Sequence, residues 1–254
     1  MDKELQKAFE NTCKVVLGTA LGNLEDFRPY LSQGIRLPTP IRSAVSSKAV
    51  YLSFFSFFQQ AKRAVITLDE FEEEGKRKLT KQEVAELSFP KAKKQLEKIA
   101  LYTQDVVMGS NLQVTGCSAY GFSAHCADGE AYVHSKYCAY CMWPRESEHS
   151  FGCDFLFASS FCIRCFHSAR LSRCLEVAYS TDCSDCALCF NCENCSNCLL
   201  CFNAKNLRHA VCNVELSKEE YLRIKQLLLA SMLSDLKKKK GCEIGIFSQQ
   251  LSKQ

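Results

Sequence analysis

Between residues 117 and 201 the chain sets fifteen of its 18 cysteines on a single three-residue register. They are Cys117, Cys126, Cys138, Cys141, Cys153, Cys162, Cys165, Cys174, Cys183, Cys186, Cys189, Cys192, Cys195, Cys198 and Cys201, and every gap is three, nine or twelve residues. The register has 29 positions in this span: the fifteen cysteines, seven serines (Ser123, Ser135, Ser147, Ser150, Ser159, Ser168, Ser180) and Tyr120, Gly129, Tyr132, Pro144, Leu156, Leu171 and Val177. None is charged, although acidic and basic residues are frequent between them. A pattern this regular is an internal repeat and has to be read as one before any motif is considered.

Blocks of twelve sharpen the repeat. The positions one residue past part of the register read Ala127, Ala139, Phe151, Ile163, Leu175, Ala187, Leu199 and Val211, apolar throughout. A period of three does not produce that column, whereas a period of twelve does. The pattern predicts a β-solenoid of four short sides per coil, each side contributing one inward residue. With coils stacked at the hydrogen-bonding spacing of about 4.8 Å, eight coils make a rod of roughly 38 Å. Cys, Ser, Ala and Gly suit so narrow an interior, where a free cysteine behaves as a small hydrophobe. Asn191, Asn194, Asn197, Asn203 and Asn206 immediately precede register positions; asparagine tolerates the left-handed backbone of tight corners. The apolar column is then an outer stripe that something must cover.

The first hundred residues carry one cysteine, Cys13. Leu5, Phe9, Cys13, Val16 and Leu17 recur at helical spacing. A short second helix is expected over 24–31, strands over 50–58 and 64–68, a helix opened by the Thr80/Glu83 capping box, and another from Pro90 to about Tyr102. After the repeat, Ser217 and Glu220 form a second capping box ahead of an apolar helix face, with Lys237, Lys238, Lys239 and Lys240 at its end. The expected class is therefore α+β: an N-terminal α+β cap domain over 1–104, a cysteine-rich β-solenoid over 105–214, a C-terminal amphipathic helix over 215–240 packed on or capping the solenoid, and a tail over 241–254.

Two resemblances follow from these residues. The spacing of inward positions is similar to the twelve-residue coils of beetle-type antifreeze solenoids, but the Thr-x-Thr ladder that binds ice is absent, so the likeness concerns geometry. The stretch 191–229, with its Asn-Cys triplets, Asn206-Leu207-Arg208 and Ser217-Lys218-Glu219-Glu220-Tyr221, resembles uncharacterised cysteine-rich repeat proteins of archaea and small-genome bacteria. That resemblance implies no activity.

No apolar run approaches the roughly 20 residues of a membrane span, and Met1-Asp2-Lys3-Glu4 lacks the pattern of a secretory signal. The reading is a cytoplasmic protein without membrane association, in which thiols default to the free or metal-bound form.

The run Cys183, Cys186, Cys189, Cys192, Cys195, Cys198 and Cys201 is where chemistry is open. A zinc ribbon needs a spacer between its two knuckles, and a ferredoxin run needs a three-residue gap followed by Cys-Pro. Neither is present. The leading reading is a thiol-lined interior, shared with Cys117, Cys126, Cys138, Cys141, Cys153, Cys162, Cys165 and Cys174, and no cofactor. The alternatives are zinc, copper(I) or an iron-sulfur cluster on the run, or disulfides across the coil such as Cys189 with Cys195.

No nucleophile elbow, phosphate loop or carboxylate pair is recognisable, so no catalytic residue is nominated and no enzyme is expected. Trp143, Phe155, His167 and Tyr179 fall in one column and read as a surface aromatic ladder, with Arg164, Arg170 and Arg173 nearby; packing against a neighbouring domain is the competing reading. Basic residues cluster at Lys76-Arg77-Lys78, at Lys91, Lys93, Lys94 and Lys98, and at Lys237, Lys238, Lys239 and Lys240. The expected function is a non-catalytic binding or assembly module docking on an acidic macromolecule such as RNA or a ribonucleoprotein, with a metal or thiol-redox protein as the alternative. Homo-oligomers formed through solenoid edges are a further expectation. Cys242, in the polar tail, is the candidate exposed thiol.

Overall fold

The computed structural model describes residues 2–144, 147, 149–153, 159–160, 162–165 and 171–246. In chain order the elements are α1 (Lys3–Leu17), α2 (Arg28–Leu31), β1 (Thr39–Arg42), β2 (Ala49–Leu52), α3 (Ser56–Gln60), α4 (Phe71–Glu74), α5 (Lys81–Ala85), α6 (Phe89–Leu96), β3 (Val107–Met108), β4 (Leu112–Thr115), β5 (Ser118–Gly121), β6 (Ala124–Ala127), β7 (Glu130–Val133), β8 (Ser159–Ser160), β9 (Leu171–Ser172), β10 (Val177–Ala178), β11 (Cys189–Phe190), β12 (Ser196–Leu199), β13 (Arg208–Val211), β14 (Val214–Glu215) and α7 (Lys218–Lys239). This is the α+β architecture expected: N-terminal helices and strands, a central β-solenoid and a C-terminal helix.

The twelve-residue period is visible in the pairing. Leu112 lies opposite Ala124, Ser118 opposite Glu130, Ser159 opposite Leu171, Val177 opposite Cys189 and Ser196 opposite Arg208, all parallel. Among the described pairs the first coil differs: Val107 pairs Tyr120 and Met108 pairs Gly121, one residue longer.

Most described three-residue sides share one backbone plan, from which those at Arg164 and Glu176 depart. The residue before the register position is left-handed, as at His125, Tyr137, Trp143, Asp182, Asn194 and His209. Its N–H donates to the coil behind, as Tyr137 to the Ala124 carbonyl (3.1 Å) and Asn194 to that of Thr181 (3.1 Å). The residue after the register position donates to the coil ahead, as Ala124 to the Ser135 carbonyl (3.0 Å). The left-handed conformation costs an L-residue roughly 1–2 kcal/mol, and these inter-coil bonds offset it. The expected asparagines Asn191, Asn194, Asn197, Asn203 and Asn206 all occupy such corners.

Several register N–H groups point inward and are met by an inward side chain, whereas those of Tyr120, Cys165 and Cys189 donate to the Val106, Gly152 and Glu176 carbonyls (2.7, 3.0 and 3.1 Å). Ser180 Oγ accepts from Cys192 N–H (3.0 Å) and Ser123 Oγ from Ser135 N–H (3.3 Å). The same side chains donate to carbonyls: Ser123 Oγ to Gly121 (2.9 Å), and Cys183 Sγ to Thr181 (3.3 Å) and to Cys192 one coil on (3.5 Å). Where an inward side chain takes this part it is small and able to hydrogen-bond, as Ser and Cys are; Val177 cannot, and the N–H of Cys189 one coil on goes to the Glu176 carbonyl instead (3.1 Å).

The apolar stripe is covered from both ends of the chain. Ala139, Phe151, Ile163 and Leu175 form one core with Leu5, Phe9, Cys13 and Leu17 of α1, with Phe27, Tyr30 and Leu31, and with Met232 and Leu236 of α7. Phe9 meets Phe151 edge-on, ring centroids 5.3 Å apart. Gly152 lies where α2 docks: its φ is +68°, and a Cβ there would collide with the Leu31 carbonyl. The cysteines form a second, separate core inside the rod.

Three local expectations are corrected. The strand over 50–58 stops at Leu52, because the Ser53 N–H goes to Gln104 Oε1 (3.1 Å) and the Ser53 hydroxyl to Glu130; α3 follows. Over 64–68 only Val65 pairs, with Tyr102, before a 3-10 turn opened by a Thr67/Glu70 capping box. The helix expected to reach Tyr102 ends at Leu96, since Tyr102 donates to the Ala64 carbonyl and accepts from Ile66 N–H (both 2.9 Å). Among the described residues no helix is long and apolar enough to cross a membrane.

Candidate functional site

All fifteen register cysteines are buried. In the run 183–201 each thiol faces the carbonyl two residues before it, and most also face one on the next coil. Cys189 Sγ lies 3.3 Å from the Ala187 oxygen and 3.5 Å from that of Cys198; Cys195 Sγ lies 3.4 Å from Glu193 and 3.6 Å from Ala204. Thiols held this way act as hydrogen-bond donors. Burial pushes the Cys117 and Cys165 thiols up, and bonding to Cys162 together with burial does the same to Cys174. Raised, buried thiols are poor nucleophiles.

Four register thiols shift the other way: hydrogen bonds from neighbouring thiols hold Cys186, Cys192 and Cys201 down, and at Cys138 burial is outweighed by its hydrogen bonds. At Cys186 the contacts are these. Thiol hydrogen bonds from Cys183, Cys189 and Cys198 hold its own proton affinity down, and the same contacts raise those three. Cys189 meets Cys186, Cys192 and Cys201 in the same way, so the thiols of the run form a continuous row rather than a cluster around one sulfur. Among the described residues no group of three or more His, Cys, Asp or Glu side chains is arranged to hold a metal ion.

The disulfide bridge differs from the one anticipated across the coil. Cys189 and Cys195 are free thiols, while Cys141 and Cys153, stacked on neighbouring coils with Cα atoms 4.6 Å apart, are bonded. Stacking brings residues twelve apart closer than residues on opposite walls. Cys242 is half-buried against the apolar core rather than exposed, and the exposed thiol is Cys212, at the turn after β13.

The proposed recognition surface divides. Phe155, His167 and Arg170 lie outside the described residues. Trp143 is half-buried, Arg173 is exposed and Tyr179 is exposed. The described aromatics near Tyr179 run obliquely to the expected column, through Phe190 (centroids 5.4 Å) to Phe202 (6.4 Å). Arg164 is a correction: it is buried, 3.4 Å from Glu176 and 4.8 Å above the Tyr30 ring. Glu176 also accepts the Ile246 N–H (3.0 Å). Burial raises the Glu176 pKa against the opposing pull of Arg164. This pair fastens both chain ends to the rod. Two of the described histidines serve the same docking, His125 meeting Asp2 (3.0 Å) and His149 meeting Thr12 (3.3 Å) on the α1 side, while His134 stacks on Phe122 and His209 packs on Tyr221 of α7.

The basic clusters differ in their partners. Lys239 lies 3.5 Å from Asp235 and also meets Glu243, and Lys240 lies 3.9 Å from Asp26 and 5.1 Å above the Phe27 ring. Lys237 and Lys238 are exposed. Lys76, Arg77 and Lys98 pair with Glu73, Glu74 and Glu83. On α6, Lys91, Lys93 and Lys94 are exposed with no ion pair among the described residues, beside Phe89, which is 96% exposed, and Leu96. Neither α4, α5 nor α6 buries a residue.

Comparison with protein families, with curated proteins and with solved structures gave no match. The fold itself places the chain among short-coil, cysteine-lined β-solenoids.

Proposed function

We propose that this protein is a non-catalytic binding module of the cytoplasm that docks on RNA, alone or in a ribonucleoprotein particle, through the α6 face. The observation that supports this reading is the row Lys91, Lys93 and Lys94 beside the exposed Phe89 ring. Lysines without acidic partners attract phosphate and release counterions, and an exposed aromatic ring next to them offers a platform on which an unpaired base stacks. The rigid solenoid acts as the support, and no cofactor is required. The likeness to cysteine-rich repeat proteins of archaea and small-genome bacteria belongs with this proposal and adds no activity to it.

Fluorescence anisotropy with single-stranded and hairpin RNA, at low and moderate salt, tests the reading. Affinity should fall with salt and should drop at least tenfold in the Lys91→Glu/Lys93→Glu/Lys94→Glu chain. Absence of salt-dependent binding, or binding that the triple variant leaves intact, overturns it; binding to polyglutamate in place of RNA moves the partner to an acidic protein.

The second reading, a metal or thiol-redox role of the run 183–201, is favoured by the packing of all seven of its thiols into one buried core. Zinc, copper(I) or an iron-sulfur cluster would have to displace the thiol protons there. Metal analysis and a visible spectrum of anaerobically purified protein decide it: neither metal nor chromophore removes this reading.

A further inference from the structure

The two ends of the solenoid are finished differently. At the C-terminal end the chain turns at Cys212 and Asn213, with φ of 50° and 64°, and β14 returns antiparallel on β13, Ala210 opposite Glu215 and Val211 opposite Val214. Two left-handed residues in succession are the turn that matches strand twist in a hairpin. The reversal occupies the last parallel edge, and Lys205, Arg208 and Glu215 put charge around it. At the N-terminal end nothing comparable happens. β4 pairs only with β6 and β3 only with β5, with no bridge on their outer sides among the described residues. Leu112 is 56% exposed, and Val106, Val107, Met108 and Phe122 are exposed as well. Residues 106–124 contain no charged side chain and no proline.

Soluble proteins protect a sheet edge with lysines, proline, bulges or a covering element. The first coil has none of the first two, and among the described residues no element pairs with its outer edge, where apolar side chains are exposed. We infer that this coil is the interface between two copies of the chain, meeting first coil to first coil about a two-fold axis.

Electrostatics selects a second copy over other occupants. An uncharged face meets its own copy without like-charge repulsion, whereas an acidic or basic partner finds no charge on it to answer. The free N–H and C=O groups of the edge are matched by those of the same edge in a copy. A two-fold contact of this kind is isologous and closes with two chains, and β14 covers the opposite end at Ala210 and Val211.

Sedimentation velocity on the full chain, under reducing conditions across the micromolar range, tests the inference. A concentration-dependent dimer is expected for the wild type. Val107→Lys/Leu112→Lys, which places like charges at both exposed positions, should sediment as monomer at every concentration with an unchanged melting curve; Leu112→Lys alone should weaken the dimer and guards against misfolding of the double variant. A wild-type chain that stays monomeric throughout, a folded double variant that remains dimeric, or growth into larger filaments each overturns it. RNA affinity through α6 is read separately and should be the same in the monomeric variant.

Discussion

Tyr132 Oη accepts the main-chain N–H of Cys141 at 3.1 Å, in the place where Gly129, twelve residues before Cys141, has no side chain to offer. The missing side chain makes room for the ring, and the ring's hydroxyl does what an inward Ser or Cys does elsewhere. The Tyr132 hydroxyl donates in turn to the Ala127 carbonyl (3.1 Å). Tyr132→Phe keeps the packing and removes the acceptor. An orphaned buried N–H costs about 1–3 kcal/mol, so the urea midpoint should fall accordingly with an unchanged slope. Ser180→Ala should behave alike through Cys192, while Ser180→Cys should cost less than Ser180→Ala.

Arg164 and Glu176 are the most buried ion pair described and hold Tyr30, Gln33 and Ile246 around them. Removing one partner leaves an uncompensated charge, which costs roughly 3–5 kcal/mol. Arg164→Met should lower stability by that order and increase proteolysis at both chain ends. The double change Arg164→Met/Glu176→Leu should recover much of the loss.

Stability should decline at alkaline pH. The Cys117, Cys165 and Cys174 thiols have folded pKa values above that of an unfolded cysteine, about 8.5. The folded chain therefore holds protons that the unfolded chain gives up, and stability falls as pH rises past that value. This contribution is complete below about pH 8. Unfolding curves recorded in reductant from neutral pH to pH 10 should show a falling midpoint above pH 9. A midpoint constant over that range contradicts protonated core thiols.

Corner positions should discriminate by backbone conformation. Asn197 is left-handed, with φ of 53°. Asn197→Val should cost about 1–2 kcal/mol, because a β-branched residue is a poor occupant of that region. Asn197→Gly should be nearly neutral. Equal effects of the two in thermal melts would contradict the corner assignment.

The period of twelve was legible because two independent columns carried it, the uncharged register and the apolar stripe. The corner rule was only half legible. Asparagine was the obvious signal, yet every histidine of the chain occupies the same phase, as do Asp128, Asp182 and Asp185. Asn, Asp and His are the residues enriched in the left-handed region. The Arg164–Glu176 pair also had a signal, since opposite charges twelve residues apart stack on adjacent coils; nearness to other arginines suggested a surface instead. That α1 shares the stripe with α7 had no local signature, because each helix shows only that it needs an apolar partner. The choice of Lys91, Lys93 and Lys94 over Lys239 and Lys240 was half legible: Asp235 and Glu243 flank Lys239 at four-residue spacing, whereas Asp26, which meets Lys240, is distant in sequence and spacing does not reveal it.

The account rests on the inward cysteines acting as buried hydrogen-bonding core residues. Timed thiol titration of the native and unfolded protein, with metal analysis of the same sample, tests that most directly. The prediction is that Cys212 reacts promptly in the native state, Cys242 slowly, and the thiols inside the rod only on unfolding, with no stoichiometric metal released. Prompt native reaction of the run 183–201, or release of metal on its titration, would contradict it.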